Sequence, residues 1–300
     1  MFKPCEICGT NDWSSIYEGA IRAGAFGASV ENCSVAVCSG CGIARLDEHV
    51  SISASAYESD AYRIAMAQGL ETEDFFSHAD PTQIHNLSAF WPLHLRDKVI
   101  ADIGCGAGSF LDHVAGLSDK LIAIEPTERY HTSLRKRGYE VYSYAADAVK
   151  EHPGGIDIVV TFQVIEHVLN PRIFLAEIAA LLKPGGTLVI ATPNREDVLM
   201  KLLPEGFPSF FYRSVHRWYF DRLSLRRCVE LAGGLKVEAE RYVHTFGMSN
   251  TLSWLKERRP TGNKRLPCIN NVADQLWSNY LETSGQTDTL FILARKAKAD

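Results

Sequence analysis

Four cysteines in two matching spacings offer the first chemistry in this chain. Cys5 and Cys8 stand in CEICG, Cys38 and Cys41 in CSGCG, and 29 residues separate the two pairs. A C-x-x-C-G turn presents two thiolates on one side of a tight bend, and Gly9 and Gly42 let the backbone curl so that its amides reach the sulfurs. Two such knuckles complete a tetrahedral zinc site with no open position, so the metal would fold the segment and catalyse nothing. Four unrelated thiols or a redox pair are the competing readings. No apolar leader follows Lys3, so a reducing, cytoplasmic setting is expected and disulfides are not. Cys33, Cys105, Cys228 and Cys268 lack partner spacings and read as core or surface thiols.

The second chemistry lies in VIADIGCGAGSFL, Val99 to Leu111, where a buried-strand run meets Gly104, Gly106 and Gly108 and then an apolar helical pattern. That is how a nucleotide-type cofactor is held on a parallel sheet. A dinucleotide fingerprint wants a third glycine where Ser109 stands, which argues against NAD. Asp102, two residues before Gly104, would repel a pyrophosphate but attract the amino group of an amino-acid-bearing cofactor. The helix start after Gly108 meets that cofactor's carboxylate. Glu125 lies 21 residues beyond Gly104, where an acid can accept the ribose hydroxyls, and Asp147 in YAADA is placed to reach an adenine amino group. Amine, carboxylate, ribose and adenine together describe S-adenosylmethionine (SAM).

These residues need a scaffold, and the pattern supplies one. Strands are expected at 98–103, 120–124, 139–143, 156–162 and 187–191, with helices at 108–117, 127–137 and 171–182 between them; Asn170-Pro171 starts the last helix and KPGG stops it. A helix over 221–232, a strand near 236–243, more helical sequence and a final strand in DTLFILARK follow. Strands alternating with helices imply an α/β fold with a doubly wound parallel sheet. Before it lie a small lobe over residues 1–50 and a helical bridge over 51–96, with helices expected at 57–69 and 81–95. The 300 residues, 46% hydrophobic and 22% charged, suffice for one large core plus an appendage. The net charge of -5 gives no broad basic field for nucleic acid, and no run reaches the roughly 18 apolar residues of a membrane span.

The words DIGCGAGSFL, AIEP, AAD, DIVVTFQVIEHVLNP, LLKPGGTLVIATPN and HRWYF, in this order, resemble the class I SAM-dependent methyltransferases over residues 80–300. The resemblance implies a Rossmann-like sheet of order 3-2-1-4-5-7-6, a methyltransferase domain over 97–300, and a cofactor site of Asp102, Gly104, Cys105, Gly106, Gly108, Glu125, Pro126, Asp147, Ala148 and Gln163. With its zinc-ribbon-like N-terminal lobe the chain further resembles bacterial methyltransferases of sugars and secondary metabolites, which implies a role in carbohydrate or natural-product biosynthesis.

Methyl transfer asks for alignment and, at a hydroxyl, for removal of a proton. The acceptor is expected above the ends of strands 4 and 5, where Gln163, Glu166, His167 and Asn194 emerge. His216 in SVHRWYF is the first choice of base and His167 the second, because imidazole titrates near neutrality; holding the backbone or capping is the competing role of each. QVIEHV also resembles the Glu-x-x-Glu-His of ubiquinone-pathway O-methyltransferases. That likeness implies a Mg2+ or Mn2+ held by Gln163, Glu166 and His167, weakened by Gln163 in place of a carboxylate. The aromatic segment 199–214 reads as a lid, a shallow membrane contact or packing on the sheet, and Tyr57 and Tyr62 as cover for the cofactor or packing between lobes. Methyl transfer to a small-molecule acceptor, a sugar or nucleotide-linked sugar, leads. Behind it stand an RNA methyltransferase using the zinc lobe to bind its substrate, disfavoured because residues 1–50 hold only Lys3, Arg22 and Arg45 as cations, and a non-catalytic SAM-binding protein.

Overall fold

Uncharged runs of aliphatic residues such as LIAI and IVVTF cannot face water on either side, and they form the centre of a sheet covered on both faces. The computed structural model describes residues 3–24, 28–51, 64, 72–90 and 93–298. The large sheet is built from β4 (Val99–Ile103), β5 (Lys120–Ile124), β6 (Glu140–Tyr142), β7 (Ile156–Phe162), β8 (Leu182–Pro193), β10 (Leu235–Val243) and β11 (Thr289–Lys296). Its order is β10-β11-β8-β7-β4-β5-β6, with β11 antiparallel to both its neighbours. Counted from β4 as strand 1, this is the expected 3-2-1-4-5-7-6 order.

Asp102 pairs in register with Ala123 of β5 and Val160 of β7. The glycine loop, Glu125 and Gln163 therefore leave adjacent strands at one edge, where a doubly wound sheet leaves its crevice. The helices are α1 (Thr72–Phe90), α2 (Ser109–Val114), α3 (His131–Lys136), α4 (Ala145–Glu151), α5 (Pro171–Leu181), α6 (Leu199–Leu202), α7 (Pro208–Phe211), α8 (Arg222–Ala232), α9 (Met248–Glu257) and α10 (Asn271–Ser284). Asn170 caps α5 by accepting from the N–H groups of Arg172 and Ile173, and an Asp221–Ser224 capping box opens α8.

Three expectations are corrected. The helix expected over 81–95 is α1, which starts at Thr72 and carries Pro81 inside it. A proline there costs about 3 kcal/mol, and the packing of Phe75 and Phe76 against the sheet's core overrides it. The segment after β6 that carries Asp147, to which the alternating pattern gives no element, is α4. KPGG, expected to separate α5 from the next strand, lies in a bulge at the start of β8, between the pairs Ile156–Leu182 and Ile158–Thr187. The helix expected over 57–69, and Tyr57 and Tyr62, lie outside the described residues save for Ile64, which is helical.

The N-terminal segment forms β1 (Trp13–Arg22), β2 (Ser29–Cys38) and β3 (Ala44–Leu46), and its sheet is completed by β9 (Trp218–Tyr219) in the order β1-β2-β3-β9. The fourth strand thus comes from the segment after β8. Both knuckles have the same backbone: Gly9 N–H bonds Cys5 O and Gly42 N–H bonds Cys38 O, each at 2.8 Å, with both glycines at φ +78°. The four sulfurs meet, Cys5 to Cys41 at 3.6 Å and Cys8 to Cys38 at 3.5 Å. A proton shared with Cys41 holds the Cys5 thiol down at about 5, so one thiolate forms readily in the set. Cys5, Ile7, Cys38 and Ile43 pack into the same core as Leu175, Leu225 and Cys228 of α5 and α8, so the lobe is seated on one face of the large sheet.

Protein prepared without oxygen is expected to carry one zinc per chain on metal analysis. Because metal binding and folding of so small a lobe are coupled, Cys38→Ser should raise hydrogen exchange in residues 5–46 and, through the shared sheet, in 217–219. Residues 99–124 should stay protected. Absence of zinc, or uniform loss of protection, would reject this.

Candidate active site

The glycine loop is closed by what presses on it. At Gly104, φ +77°, a Cβ would lie 2.3 Å from Val164 Cγ2; at Gly106, φ +55°, it would lie 2.5 Å from the Phe75 ring. Neither position admits a side chain without displacing its neighbour. Glu125 accepts from Gly106 N–H at 2.8 Å and from Thr127 N–H at 2.9 Å, which fixes the loop to the end of β5. The Ser109 hydroxyl donates to Asp80 of α1 at 2.6 Å. Asp102 is buried beneath this loop; burial, with the Glu125 charge adding to it, pushes its carboxyl up to about 8.

Above the loop opens a chamber of about 460 Å³. Phe162, Phe207, Phe210, Phe246, Trp254 and Phe291 give it aromatic walls, while Asp102, Gln163, Asp197 and His216 are among its polar groups. Segment 199–214 covers it: Leu199, Phe207 and Phe211 are buried, and the Arg22 guanidinium of the N-terminal lobe sits 4.3 Å from the Phe210 ring. Gln163 holds a left-handed φ of +55° while its N–H bonds Ala191 O at 2.8 Å. A non-glycine residue strained in this way, by about 1 kcal/mol or more, is typical of a functional position.

Behind that wall stand Glu166, His167 and His216, whose ligand atoms all lie within 4.8 Å of one another. Glu166 is 1% exposed; one oxygen accepts from Thr192 Oγ1 at 2.9 Å and the other has no hydrogen-bond partner. Burial raises its carboxyl to about 7. His167 Nδ1 bonds Val215 O at 2.6 Å, so Nδ1 carries the proton and Nε2 faces Glu166 at 3.9 Å. Burial holds His167 down at about 4. The His216 ring packs edge-on against His167 at 4.9 Å, and burial, with the Arg213, His167 and Arg22 charges, holds it well below the usual imidazole range.

Asp102, Gly104, Cys105, Gln163 and His216 therefore share one chamber, and Gly106, Gly108, Glu125 and Pro126 belong to the loops beside it. Asp147 and Ala148 do not join them. Helix α4 turns Asp147 to the surface, 2.8 Å from Lys150, and packs Ala148 into the core. Asn194 is buried and spends its side chain on Gly285 O and Glu196 N–H. Beside the expected Gln163, Glu166 and His167, His216 offers a further ligand atom to Glu166 and His167, because its segment folds back onto the end of β7. Two imidazoles and a carboxylate suit an ion that accepts nitrogen ligands, such as Zn2+ or, more weakly, Mn2+, better than Mg2+. Asp197, lifted to about 8 by burial and the nearby Asp288 charge, and Arg213 are site residues that no motif pointed to.

Residues 75–239 match the family described as a methyltransferase domain. The chain is 32% identical over 201 residues to a ubiquinone biosynthesis O-methyltransferase of Xanthomonas campestris pv. campestris, covering 64% of this chain and 73% of that protein. It is 31% identical over 131 residues to the protein of the same description from Thiobacillus denitrificans, covering 37% of this chain. There it spans 56% of the relative's length, little more than half. Among solved structures, a SAM-dependent methyltransferase of Archaeoglobus fulgidus superposes with a TM-score of 0.51 at 17% identity over 75% of this chain and 97% of that one. A Haloferax volcanii methyltransferase solved with the Trm112 activator gives 0.51 at 14% identity over 76% and 93%. At these identities the structural likeness speaks for the fold alone. No described helix is long and apolar enough to cross a membrane.

If the trio binds a cation, a calorimetric titration with Mn2+ should show a site that is lost in His216→Ala and kept in Gln163→Ala, with Mg2+ giving no comparable heat. A site lost in Gln163→Ala would restore the trio expected from sequence.

Proposed function

Because the chain belongs to the class I SAM-dependent methyltransferases, we propose that it carries the methyl group of SAM to a hydroxyl on a small, apolar, ring-bearing acceptor held in the aromatic chamber. The observation that carries this reading is the chamber itself: aromatic walls over the glycine loop, with His216 at their edge. The naming of its relatives as O-methyltransferases supports the same choice of atom. Asp102 binds the cofactor's amino group. Glu125, bonded to two loop N–H groups, keeps lone pairs for the ribose hydroxyls. SAM supplies the electrophilic methyl, so the protein's part is to align the acceptor in line, exclude water and take the hydroxyl proton.

His216 takes that proton. Held neutral by burial and by Arg213, it stays competent across the neutral range, so the activity limb expected near neutrality from this histidine moves to well below pH 6.5. Where a divalent cation is bound, Glu166, His167 and His216 would hold it and it would acidify the hydroxyl instead. The sugar acceptor expected from the sequence is the second reading. A polar crevice that shares His85, Thr245 and Phe246 with the chamber favours it.

Two measurements test this. With a free-protein value of about 8, Asp102 is mostly protonated at pH 7 and must lose its proton to receive an ammonium group. SAM affinity should therefore climb up to tenfold per unit from pH 6 towards 8, with up to one proton released; above that the cofactor's own amino group begins to deprotonate. Asp102→Asn should remove both the slope and the proton release, and a flat wild-type profile would reject the assignment. For the chemistry, His216→Ala should lower methyl transfer to hydroxylated aromatics by roughly 100-fold to 10,000-fold at unchanged SAM affinity. Transfer to nucleotide sugars but to no phenol would favour the second reading.

A further inference from the structure

The crevice beside the chamber has a volume of about 570 Å³, and two buried side chains in its lining point to a ligand. His244 is 4% exposed and Asn250 2%. His244 Nδ1 accepts the Asp288 N–H at 3.3 Å, which leaves the ring proton on Nε2, and that nitrogen has no partner. Asn250 is fixed in the same sense: its Oδ1 accepts the Lys264 N–H at 2.9 Å, so its amide nitrogen is the free end, and it too has no partner. A buried donor left unmatched is unfavourable, and two of them in one cleft call for oxygen acceptors.

The charges around them narrow the class. Arg265 is engaged with Asp274, and Glu282 accepts the His244 backbone N–H at 3.3 Å, so the crevice holds two carboxylates to one guanidinium. A phosphate or carboxylate would meet a net negative surround, and an ammonium group would leave both donors unmatched. A hydroxyl offers its oxygen to the donors and its proton to a carboxylate. We propose that this crevice is a second compartment of the acceptor site and takes a neutral, polyhydroxylated group, with His244 and Asn250 as its donors. The inference rests on the reading that the chamber holds the acceptor: the reacting ring lies over the glycine loop and its hydroxylated substituent passes Thr245 and Phe246 into the crevice.

Two substitutions remove the donors and keep the fold's own bonds. Asn250→Asp retains an Oδ1 for Lys264 N–H, and His244→Asp retains an acceptor for Asp288 N–H; neither ionised carboxylate offers an N–H donor. Full-length protein loaded with S-adenosylhomocysteine is examined by saturation-transfer NMR with methyl glucoside, inorganic phosphate and ethanolamine as probes. Wild-type protein should saturate the glucoside, and each variant should reduce that signal at least fivefold while binding SAM within twofold of wild type. Absence of glucoside binding, displacement of glucoside by phosphate or ethanolamine, or equal signals in wild type and both variants would overturn the proposal. Methyl transfer by the wild type to a simple phenol is measured alongside. Its success with no glucoside binding removes the crevice alone; its failure, with glucoside bound, removes the chamber reading instead.

Discussion

A guanidinium with no exposure to water sits at the joint of the molecule. The Arg45 side chain is 0% exposed, packed 4.5 Å from the Trp13 ring and 5.7 Å from the Trp218 ring, and bonded to Glu6 at 2.6 Å and to Lys3 O at 2.9 Å. Breaking such a buried pair by removing one partner typically costs about 3 to 5 kcal/mol, so Glu6 is held where it is. Glu6 lies between Cys5 and Cys8, and its other oxygen accepts from Arg217 at 3.0 Å. Arg217 follows His216, and the N–H groups of Arg217 and Trp218 both reach Glu166 O, at 2.9 and 3.0 Å. A continuous chain of bonds thus runs from the cysteine knuckle to the proposed base. The lobe's geometry is part of the site's geometry.

The same coupling explains how the chamber's cover stays in place. On one side of His216, Arg22 of β1 bonds Tyr212 O and Ser214 N–H, each at 3.0 Å; on the other, Leu46 of β3 bonds Arg217 O at 3.0 Å. Phe207, Phe211 and Tyr212 share a core with Ile21, Val35 and Leu46 of the lobe. Residues 199–214 are therefore anchored by the lobe's sheet as well as by the large one, and their aromatic content is used in packing as much as in lining. Opening this cover as a rigid flap would break the hydrogen bonds at Arg22.

The strands of the large sheet, the glycine loop and the two knuckles could be read from the sequence because each is local: a period-free apolar run, three glycines at a turn, two repeated pentapeptides; the order of the strands is what the family resemblance implies. What escaped reading depends on contacts distant in sequence. Pro81 stands inside α1 because Phe75, 31 residues before Gly106, packs on that glycine. Asp147 sits on α4 beside Lys150, an element that the alternating pattern does not announce. His216, 53 residues beyond Gln163, joins Glu166 and His167 because the lobe draws Trp218–Tyr219 into its sheet. His244 and Asn250 carried no motif, and only their burial beside unmatched donors distinguishes them from ordinary polar residues.

The site's electrostatics follow from the same burial. Asp102 and Asp197 are both pushed up to about 8 and Glu166 to about 7, in each case chiefly by desolvation. Their ordinary values lie near 4, so between about pH 4 and 8 these three carboxyls keep protons that the unfolded chain has released, while below about pH 6.5 the lowered His167 and His216 work the other way. The contribution of this cluster to stability without ligand therefore falls as pH rises from about 6.5 to 8, where only the carboxyls still differ between the two states and the unfolded one binds fewer protons. At neutral pH the resting site consequently holds protonated carboxyls and neutral imidazoles rather than bare charges. A cofactor bearing an ammonium and a sulfonium is the kind of ligand that makes ionisation of Asp102 favourable again, because it supplies in one molecule the positive charge that burial withheld. On the proposed role of Asp102, the energetic cost of burying this carboxyl and the preference for a cationic cofactor have one origin, its enclosure beneath a glycine loop.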